Sequence, residues 1–469
     1  MDTRTMYGRR IITTDVAEIT ADNVVDVLRD AMSVHELNRS EIDYLWKYYK
    51  GDQPILTREK AVRPEICNRI VENRANEIVS FKVGYLCGEP IQYVGRSNDE
   101  AITSGIGALN EYMFLVDKSA LDQEVVEWGM ICGTAYRMVM ANDDYTSESD
   151  EAPFEIYTLD PRNSFVVYST DVKRRRMMGV KYNTDEYGFN TYSVYTDKQC
   201  FVIEGDKVVS VKPHGLGTVN VYEFPANNAR LGAFEICLPL LDAINNIESN
   251  RMDGIEQFIQ AFVKFINCDI TKEDFEALKE LGAIKVKSVD GQPADVDIVT
   301  NELNQQQTQT LKEDIYKAIL SICGLPSMSD GSTSDSSNNG AVILKNGWQG
   351  AETRAKDSEM MFKRSEKEVL KLVLKLCDGL ADLRLKLKDI DIKFTRRNYD
   401  NIQSKSQVLV AMLQQPKVHP LLAFTHCGMF SDPESAYTMS NAYYEEQMAK
   451  WEPVEVDDNP DVNEENSDV

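Results

Sequence analysis

Over Ala341–Leu383 the apolar residues Leu344, Trp348, Ala351, Ala355, Phe362, Val369, Val373, Leu376 and Leu380 recur at steps of three, four or seven. That spacing lines one face of an α-helix. At 1.5 Å per residue the helix runs for about 60 Å, roughly twice the length of a 20-residue helix. Gly347 and Gly350 favour a kink near its start. Directly upstream lies Gly324–Gly340 (GLPSMSDGSTSDSSNNG), with six serines. This composition cannot bury enough apolar surface to order itself. A structureless loop of that length inside a folded chain is typically functional.

Two more helical patterns precede the loop. From Phe234 to Ile266 the apolar positions are Leu240, Leu241, Ile244, Ile247, Ile255, Phe258, Ile259, Phe262, Phe265 and Ile266, opposite a polar face with Asn245, Asn246, Glu248, Asn250 and Asp253. A second helix is expected over Gln305–Cys323, with Leu311, Ile315, Ile319 and Ile322 on one face. Between them, 267–304 reads as a small α/β insert. A short helix starts at Thr271, and strands Ala283–Ser288 and Asp295–Val299 flank the turn at Asp290-Gly291. The layout predicts a protruding hairpin with the insert at its tip.

The N-terminal third reads as helices. Ala21–Met32 and Ser40–Tyr49 form two short ones, Ser40 being a good N-cap. Residues 66–86 and 106–130 form two longer ones. Ile91–Val94 reads as a strand. From 131 to 225 short runs rich in Val, Ile, Tyr and Phe alternate with turn residues, predicting one antiparallel β region, a meander or small barrel. Glu204-Gly205-Asp206-Lys207 reads as a tight hairpin. Beyond the long helix, Lys388–Thr395 alternates as a strand, and helices follow over Tyr399–Gln415, Pro420–Met429 and from Asp432, with Pro433 at N1. Residues 451–469 hold eight acids and no base and are expected to be disordered.

Charge narrows the function. Lys and Arg total 51 against 76 Asp and Glu, a net charge of −25. A free-standing nucleic-acid binder gains most of its affinity by neutralising phosphates and is usually basic. Anchoring to anionic lipid by basic clusters is equally disfavoured. Apolar stretches such as Ala261–Ile266 fall far short of the ~20 residues a bilayer needs. The start, MDTRTMYGRR, has no signal-peptide pattern. The nine cysteines, at 67, 87, 132, 200, 237, 268, 323, 377 and 427, form no CxxC pair and read as buried free thiols.

No catalytic constellation is visible. The sequence lacks GxxxxGK[ST], GxSxG and HExxH. Gly105-Ile106-Gly107 lacks the third glycine of a dinucleotide loop and reads as a flexible turn. His419 and His426 are too few for a metal. Asp295 and Asp297 alternate on a strand without a companion Glu-x-Lys and read as a solvated face. Lys173–Arg176 (KRRR) suits a solvated turn or a salt-bridged subunit interface better than a phosphate site. No metal, cofactor or enzymatic activity is expected. A nuclease or packaging motor would need the missing P-loop or a carboxylate–lysine cluster.

Several segments, in order, resemble the portal proteins of tailed bacteriophages, most closely those of long-tailed phages of Gram-positive hosts. Tyr48-Tyr49-Lys50-Gly51-Asp52-Gln53-Pro54-Ile55 is similar to the family's YYxGxxxI turn. Asn73-Arg74-Ala75-Asn76-Glu77-Ile78-Val79, followed by Gly84-Tyr85-Leu86-Cys87-Gly88-Glu89-Pro90-Ile91, resembles its N…IV…GYLxGxPI run. Asn339-Gly340-Ala341 stands where SGxA begins the long helix, with Asn in place of Ser. Ser431-Asp432-Pro433-Glu434 is similar to the start of its last helix. The ordered set covers about residues 40–445.

The resemblance implies an α+β portal fold with a β-rich wing, a two-helix stem, a small α/β clip, a long kinked helix and an α-helical crown. Residues 1–233 would hold the N-terminal region and wing, 234–266 and 305–323 the stem, and 267–304 the clip. Then come a tunnel loop at 324–340, the long helix and a wing strand over 341–397, the crown at 398–450 and the acidic tail at 451–469. It implies a homo-oligomeric ring of about twelve copies that passes double-stranded DNA for packaging, retention and ejection. Expected partners are the terminase large subunit, a head-completion or tail adaptor, and the major capsid and scaffolding proteins, with no membrane. The place is the virion's portal vertex, and the host cytoplasm during assembly. Another phage head or adaptor protein without a channel is the alternative. Candidate channel residues are Ser327, Ser329, Asp330, Ser332, Ser334, Asp335, Ser336, Asn338, Asn339 and Lys345. Candidate docking residues on the clip are Lys272, Glu273, Asp274, Lys285, Lys287, Asp290 and Asp295. The acidic balance suits a conduit, because every phosphate gripped by a cation adds drag.

Overall fold

The computed structural model describes residues 8–259, 305–326, 347–396, 402–430 and 433–450 except positions 62, 98, 147 and 149, together with the short strands 262–266, 268–269, 287–288 and 295–299. The chain mixes helices and sheets and divides into two compact units, Met1–Arg396 and Arg397–Val469.

The first unit opens with β1 (Ile12–Thr14) and α1 (Val24–Tyr49), then α2 (Arg74–Cys87), β2 (Gln92–Gly95), α3 (Glu100–Leu115) and α4 (Lys118–Cys132). Eight strands follow: β3 (Thr134–Ala141), β4 (Phe154–Leu159), β5 (Ser164–Ser169), β6 (Arg176–Thr184), β7 (Asn190–Tyr195), β8 (Gln199–Glu204), β9 (Lys207–Pro213) and β10 (Val221–Pro225). After them come α5 (Leu238–Ile259), β11 (Phe262–Ile266), β12 (Cys268–Asp269), β13 (Lys287–Ser288), β14 (Asp295–Val299), α6 (Gln305–Cys323), α7 (Trp348–Ala381) and β15 (Ile390–Lys393).

The β region is two sheets, not one meander. The larger has the order β1-β5-β6-β7-β8-β9, and the smaller β10-β3-β4. β1, part of the β-branched run Ile11–Thr14 that the sequence reading left unassigned, joins parallel to β5, with Ile12 opposite Val167. The Glu204–Lys207 hairpin is present, its turn made by Gly205 and Asp206. The strand expected near Lys388 is β15, paired antiparallel with β2.

Two cores form. The six-stranded sheet buries Phe165, Val167, Val180 and Phe201 against Val24, Val27, Leu28 and Ala31 of α1. The second core gathers Ile42, Leu45 and Tyr48 from the other end of α1 with residues of α2, α4, α5, α6 and α7. Both cores therefore share one continuous helix, where two short ones were expected. Ser40 lies inside α1 and caps nothing. The helix continues because His35 and Asn38, polar on paper, are buried in line with Ala31 and Ile42. The Asn38 amide accepts from the Arg10 N–H and donates to its carbonyl, each at 2.9 Å, as a strand neighbour would.

His35 Nε2 lies 3.1 Å from the Arg162 carbonyl, which can only accept, so that nitrogen carries the proton. The ring stacks on Phe165 with centroids 4.4 Å apart. Burial pushes the imidazole down to about 4, with the Arg39 charge acting the same way. The folded state thus holds His35 neutral where the unfolded chain protonates it. Its contribution is complete above about pH 6.5 and is lost as the pH falls toward 4. Between pH 7 and pH 5 the full chain should lose about 2 kcal/mol more stability than a His35→Gln variant does. Urea unfolding of both chains at the two pH values measures this, and parallel losses would refute it.

The expected 106–130 helix is two, α3 and α4, broken at Asp117, which is left-handed (φ 51°). The break sets Lys118 and Asp122 at the start of α4, pointing inward. Gly105 and Gly107 lie within α3 and not in a turn. Lys118 Nζ meets Asp122 at 2.5 Å and Glu366 of α7 at 3.1 Å. Arg137 of β3 bridges the same two carboxylates at 2.8 and 3.0 Å. The Tyr93 hydroxyl donates to Glu366 at 2.6 Å. Two cations and two anions, all buried, balance and tie α4, β2, β3 and α7 together.

The second unit contains α8 (Ile402–Leu413), α9 (Pro420–Cys427) and α10 (Pro433–Ala449). His419 caps α9, accepting from the Leu421 N–H at 3.2 Å, so it does not share a helix face with His426. Phe424 stacks on Phe430 and meets Tyr437 edge-on.

Candidate functional site

The helix expected to run to Ile266 stops at Ile259. Residues 262–266, rich in Phe, Val and Ile, are a strand instead, paired antiparallel with β14. β-branched and aromatic side chains favour that state once a partner exists. Lys264 stands opposite Asp297, and Ile266 opposite Asp295. The strand expected at Ala283–Ser288 is described only at Lys287–Ser288, opposite Cys268–Asp269. Helix α6 occupies the range that its periodicity predicts. Of its apolar positions Ile319 is buried, but Leu311 is 53% exposed and Ile322 39%. On α5, Met252 and Ile255 are exposed as well.

The polar face of α5 does more than meet solvent. Asn245, Ser249 and Asp253 lie four residues apart, hence on one face. They accept from the backbone N–H groups of Glu72, Ile70 and Asn68 at 2.8, 3.0 and 2.7 Å. Alternate residues of an extended chain repeat every ~6.6 Å, close to the ~6 Å of four helical residues. The match pulls 66–73 into an extended segment, so α2 begins at Arg74 and not at 66. Asp253 also holds Arg58 and Lys60 of the segment between α1 and α2, each at 3.0 Å. Burial alone would raise its carboxyl, but Asn68, Lys60 and Arg58 hold it below the usual range.

The motif residues meet in the same joint. Gln53 donates to the Tyr48 carbonyl and to Asn73 Oδ1, both at 3.1 Å, and accepts from Asn245 at 2.5 Å. Asn73 caps α2 and donates to the Tyr49 carbonyl. Tyr48 is fully buried and donates to Asp242 of α5. Further along, Lys312 of α6 spans Glu72 and Glu248 at 2.8 and 2.7 Å. The hairpin base is thus bound to the N-terminal helices by a polar seam.

The serine-rich segment leaves and returns at one place. A Cβ built on Gly347 would lie 3.7 Å from Pro326 Cα, so the ends of 327–346 are side by side. Arg354 of α7 donates to the Ile322 carbonyl at 2.7 Å and lies against Gly324. Gly324 is left-handed (φ 69°), and any Cβ there would strike Arg354. Gly347, also left-handed (φ 78°), directly precedes the first turn of α7, which therefore begins at Trp348. Beside this junction the thiols of Cys237 and Cys323 approach to 3.5 Å. Their hydrogen bond holds Cys237 down and pushes Cys323 up. Cys67 and Cys200 are half-buried, where fully buried thiols were expected.

Ser327, Ser329, Asp330, Ser332, Ser334, Asp335, Ser336, Asn338, Asn339 and Lys345 lie outside the described residues, as do Lys272, Glu273, Asp274, Lys285 and Asp290. Of the tip candidates Lys287 and Asp295 fall on strands β13 and β14. The tail at 451–469 is outside as well. The structure gives roles that the sequence reading did not assign: Asn245 and Asp253, read only as a polar face, act with Ser249, and the Arg354–Gly324 junction and the thiol pair join them. Only the first group left a signal, a four-residue polar repeat opposite the apolar stripe. Among the described residues no group of three His, Cys, Asp or Glu side chains is placed to hold a metal, and no helix is long and apolar enough to cross a membrane.

A family model described as "Phage portal protein, SPP1 Gp6-like" matches residues 32–459. A solved structure described as "Neck of empty GTA particle computed with C6 symmetry" is similar over 76% of this chain and 90% of that chain, at 10% identity and a TM-score of 0.42. No curated protein matches the sequence.

Proposed function

The chain belongs to the SPP1 Gp6-like family of phage portal proteins, and from that membership we propose that it is the subunit of a ring-shaped DNA channel at the capsid vertex. The observation that carries this reading is the family match over residues 32–459. In this reading the two sheets and N-terminal helices form the wing, α5 and α6 the stem, 267–304 the clip, and 398–450 the crown. The exposed Met252, Ile255 and Leu311 on the stem helices suit a face covered by neighbouring copies.

The hydroxyl-rich loop 324–340 would line the constriction, with Lys345 supplying one of few positive rings. Twelve chains of −25 would carry roughly −300, screened beyond about 8 Å at physiological salt. Such a lining centres DNA without gripping it. The protein is a structural conduit and no enzyme, docking a separate terminase and later a tail adaptor through the clip. It acts within the virion.

Electron-microscopy class averages of the purified chain should show closed rings with a central channel. Lys345→Glu should leave those rings intact and lower the yield of DNA-filled particles about tenfold in a packaging assay, because it turns an attractive ring into a repulsive one and packaged DNA is no longer retained. Unchanged filling would remove Lys345 from the channel. Monomers at every concentration, even with capsid protein present, would sink the ring.

A further inference from the structure

A recess of about 760 Å³ opens between the β5–β6 turn, β10 and α7. Its cations are unusually free for a chain of net charge −25. Arg175 pairs with Asp171, and Arg230 with Glu223. Among the described residues Lys173, Arg174 and Arg364 reach no carboxylate. Arg176 lies over the Tyr222 ring, 3.8 Å from its centroid, and donates only to neutral oxygens of Val221 and Thr218. The acids lining the recess are already engaged. Glu223 accepts from Arg230, Thr134 and Tyr168, and Glu368 is held by Lys371.

Tyr222 lines the same recess and is 2% exposed beneath the Arg176 guanidinium. The site therefore offers three unpaired cations and one further guanidinium, a constellation for carboxylates. A duplex gains affinity from rows of phosphate contacts along an extended surface, whereas this recess has the dimensions of a short stretch of extended peptide.

The chain carries such a peptide. Residues 451–469 hold Glu452, Glu455, Asp457, Asp458, Asp461, Glu464, Glu465 and Asp468 and no base. Nineteen residues span up to about 65 Å when extended. Copies of so acidic a chain repel one another, and an acidic segment seated in a basic recess offsets that. We propose that the Lys173/Arg174/Arg176/Arg364 recess binds the acidic C-terminal segment of a second copy of this chain, an inference that rests on the multi-subunit reading above.

The test titrates a labelled peptide of residues 451–469 with full-length chain whose eight tail acids are changed to Asn and Gln. Fluorescence anisotropy should show saturable binding that weakens about tenfold between 50 and 200 mM salt. The same chain carrying Lys173→Glu, Arg174→Glu and Arg364→Glu should lose binding more than about tenfold. Arg364→Gln alone, at an exposed site, should weaken it by about threefold with an unchanged melting temperature. Binding untouched by the reversals, or a short DNA duplex displacing the peptide at equal concentration, overturns the proposal. Full-length chain with the reversed recess should co-sediment with full-length chain with the neutralised tail. Peptide binding without that co-sedimentation would place the segment in its own chain and overturn the second-copy assignment. Class averages of the wild type separate the two readings. Rings with no peptide binding sink this inference alone, and peptide binding with no rings sinks the channel.

Discussion

Glu366→Gln should cost the full chain about 3–5 kcal/mol, because it leaves Lys118 and Arg137 buried with only Asp122 to balance them. Urea unfolding followed by tryptophan fluorescence measures the loss. The penalty belongs to the uncompensated charge and not to the pair's net worth. Replacing all four ionic members by apolar residues of similar size should therefore restore most of it. A quadruple variant as unstable as the single one would show that the network holds the fold by geometry. The same site sets an acid limit. Burial alone would raise the Glu366 carboxyl, but Lys118, Arg137 and the Tyr93 hydroxyl hold it below its ordinary value. The unfolded chain takes up that proton near pH 4.5. The contribution is therefore present above that value and is lost as the pH falls through the lower folded one. Glu366→Gln should flatten the acid limb of the stability curve.

Gly133→Ala should be nearly as damaging. Gly133 ends α4 in the left-handed region (φ 82°), and its N–H returns to the Gly129 carbonyl at 2.9 Å. A Cβ there would lie 2.0 Å from the Arg230 carbonyl oxygen, which is backbone and cannot swing aside. The loop after β10 is fixed in place, since Ala226 donates to the Gly133 carbonyl and Ala233 to that of Met130. Either the loop or the helix end must move, costing about 4 kcal/mol. The expected readout is a much lower melting temperature and little soluble protein at 37 °C. A variant within about 1 kcal/mol of wild type would mean that the loop shifts freely.

What the sequence discloses depends on how far apart the interacting residues lie. Helix α6 and the β8–β9 hairpin are local, carried by spacing and by Gly205-Asp206, and both are where those signals place them. The extended run before Arg74 is not local. Its partners Asn245, Ser249 and Asp253 follow more than 170 residues later, so apolar spacing alone favoured a helix. Strand Phe262–Ile266 likewise follows the helical period until its partner at 295–299 is known. The short strand Ile12–Thr14 exists only because β5 offers an edge. Family membership was legible for a structural reason: Tyr48, Gln53 and Asn73, within the motifs that carry it, form the joint between α1, α2 and α5. The serine-rich segment stands out in the sequence by composition alone, whereas the joint at its two ends does not. Its geometry depends on pairs such as Gly324–Arg354 that no local pattern announces.

The side-by-side placement of Pro326 and Gly347 makes the segment between them an interchangeable fitting. Among the described residues the two helices are joined beside those points by Arg354 of α7, which donates to the Ile322 carbonyl of α6. Doubling the length of such a segment adds only about 0.6 kcal/mol to the cost of closing it. The length and composition of that segment can therefore change, residue by residue or by insertion, while α6 and α7 keep the joint between them.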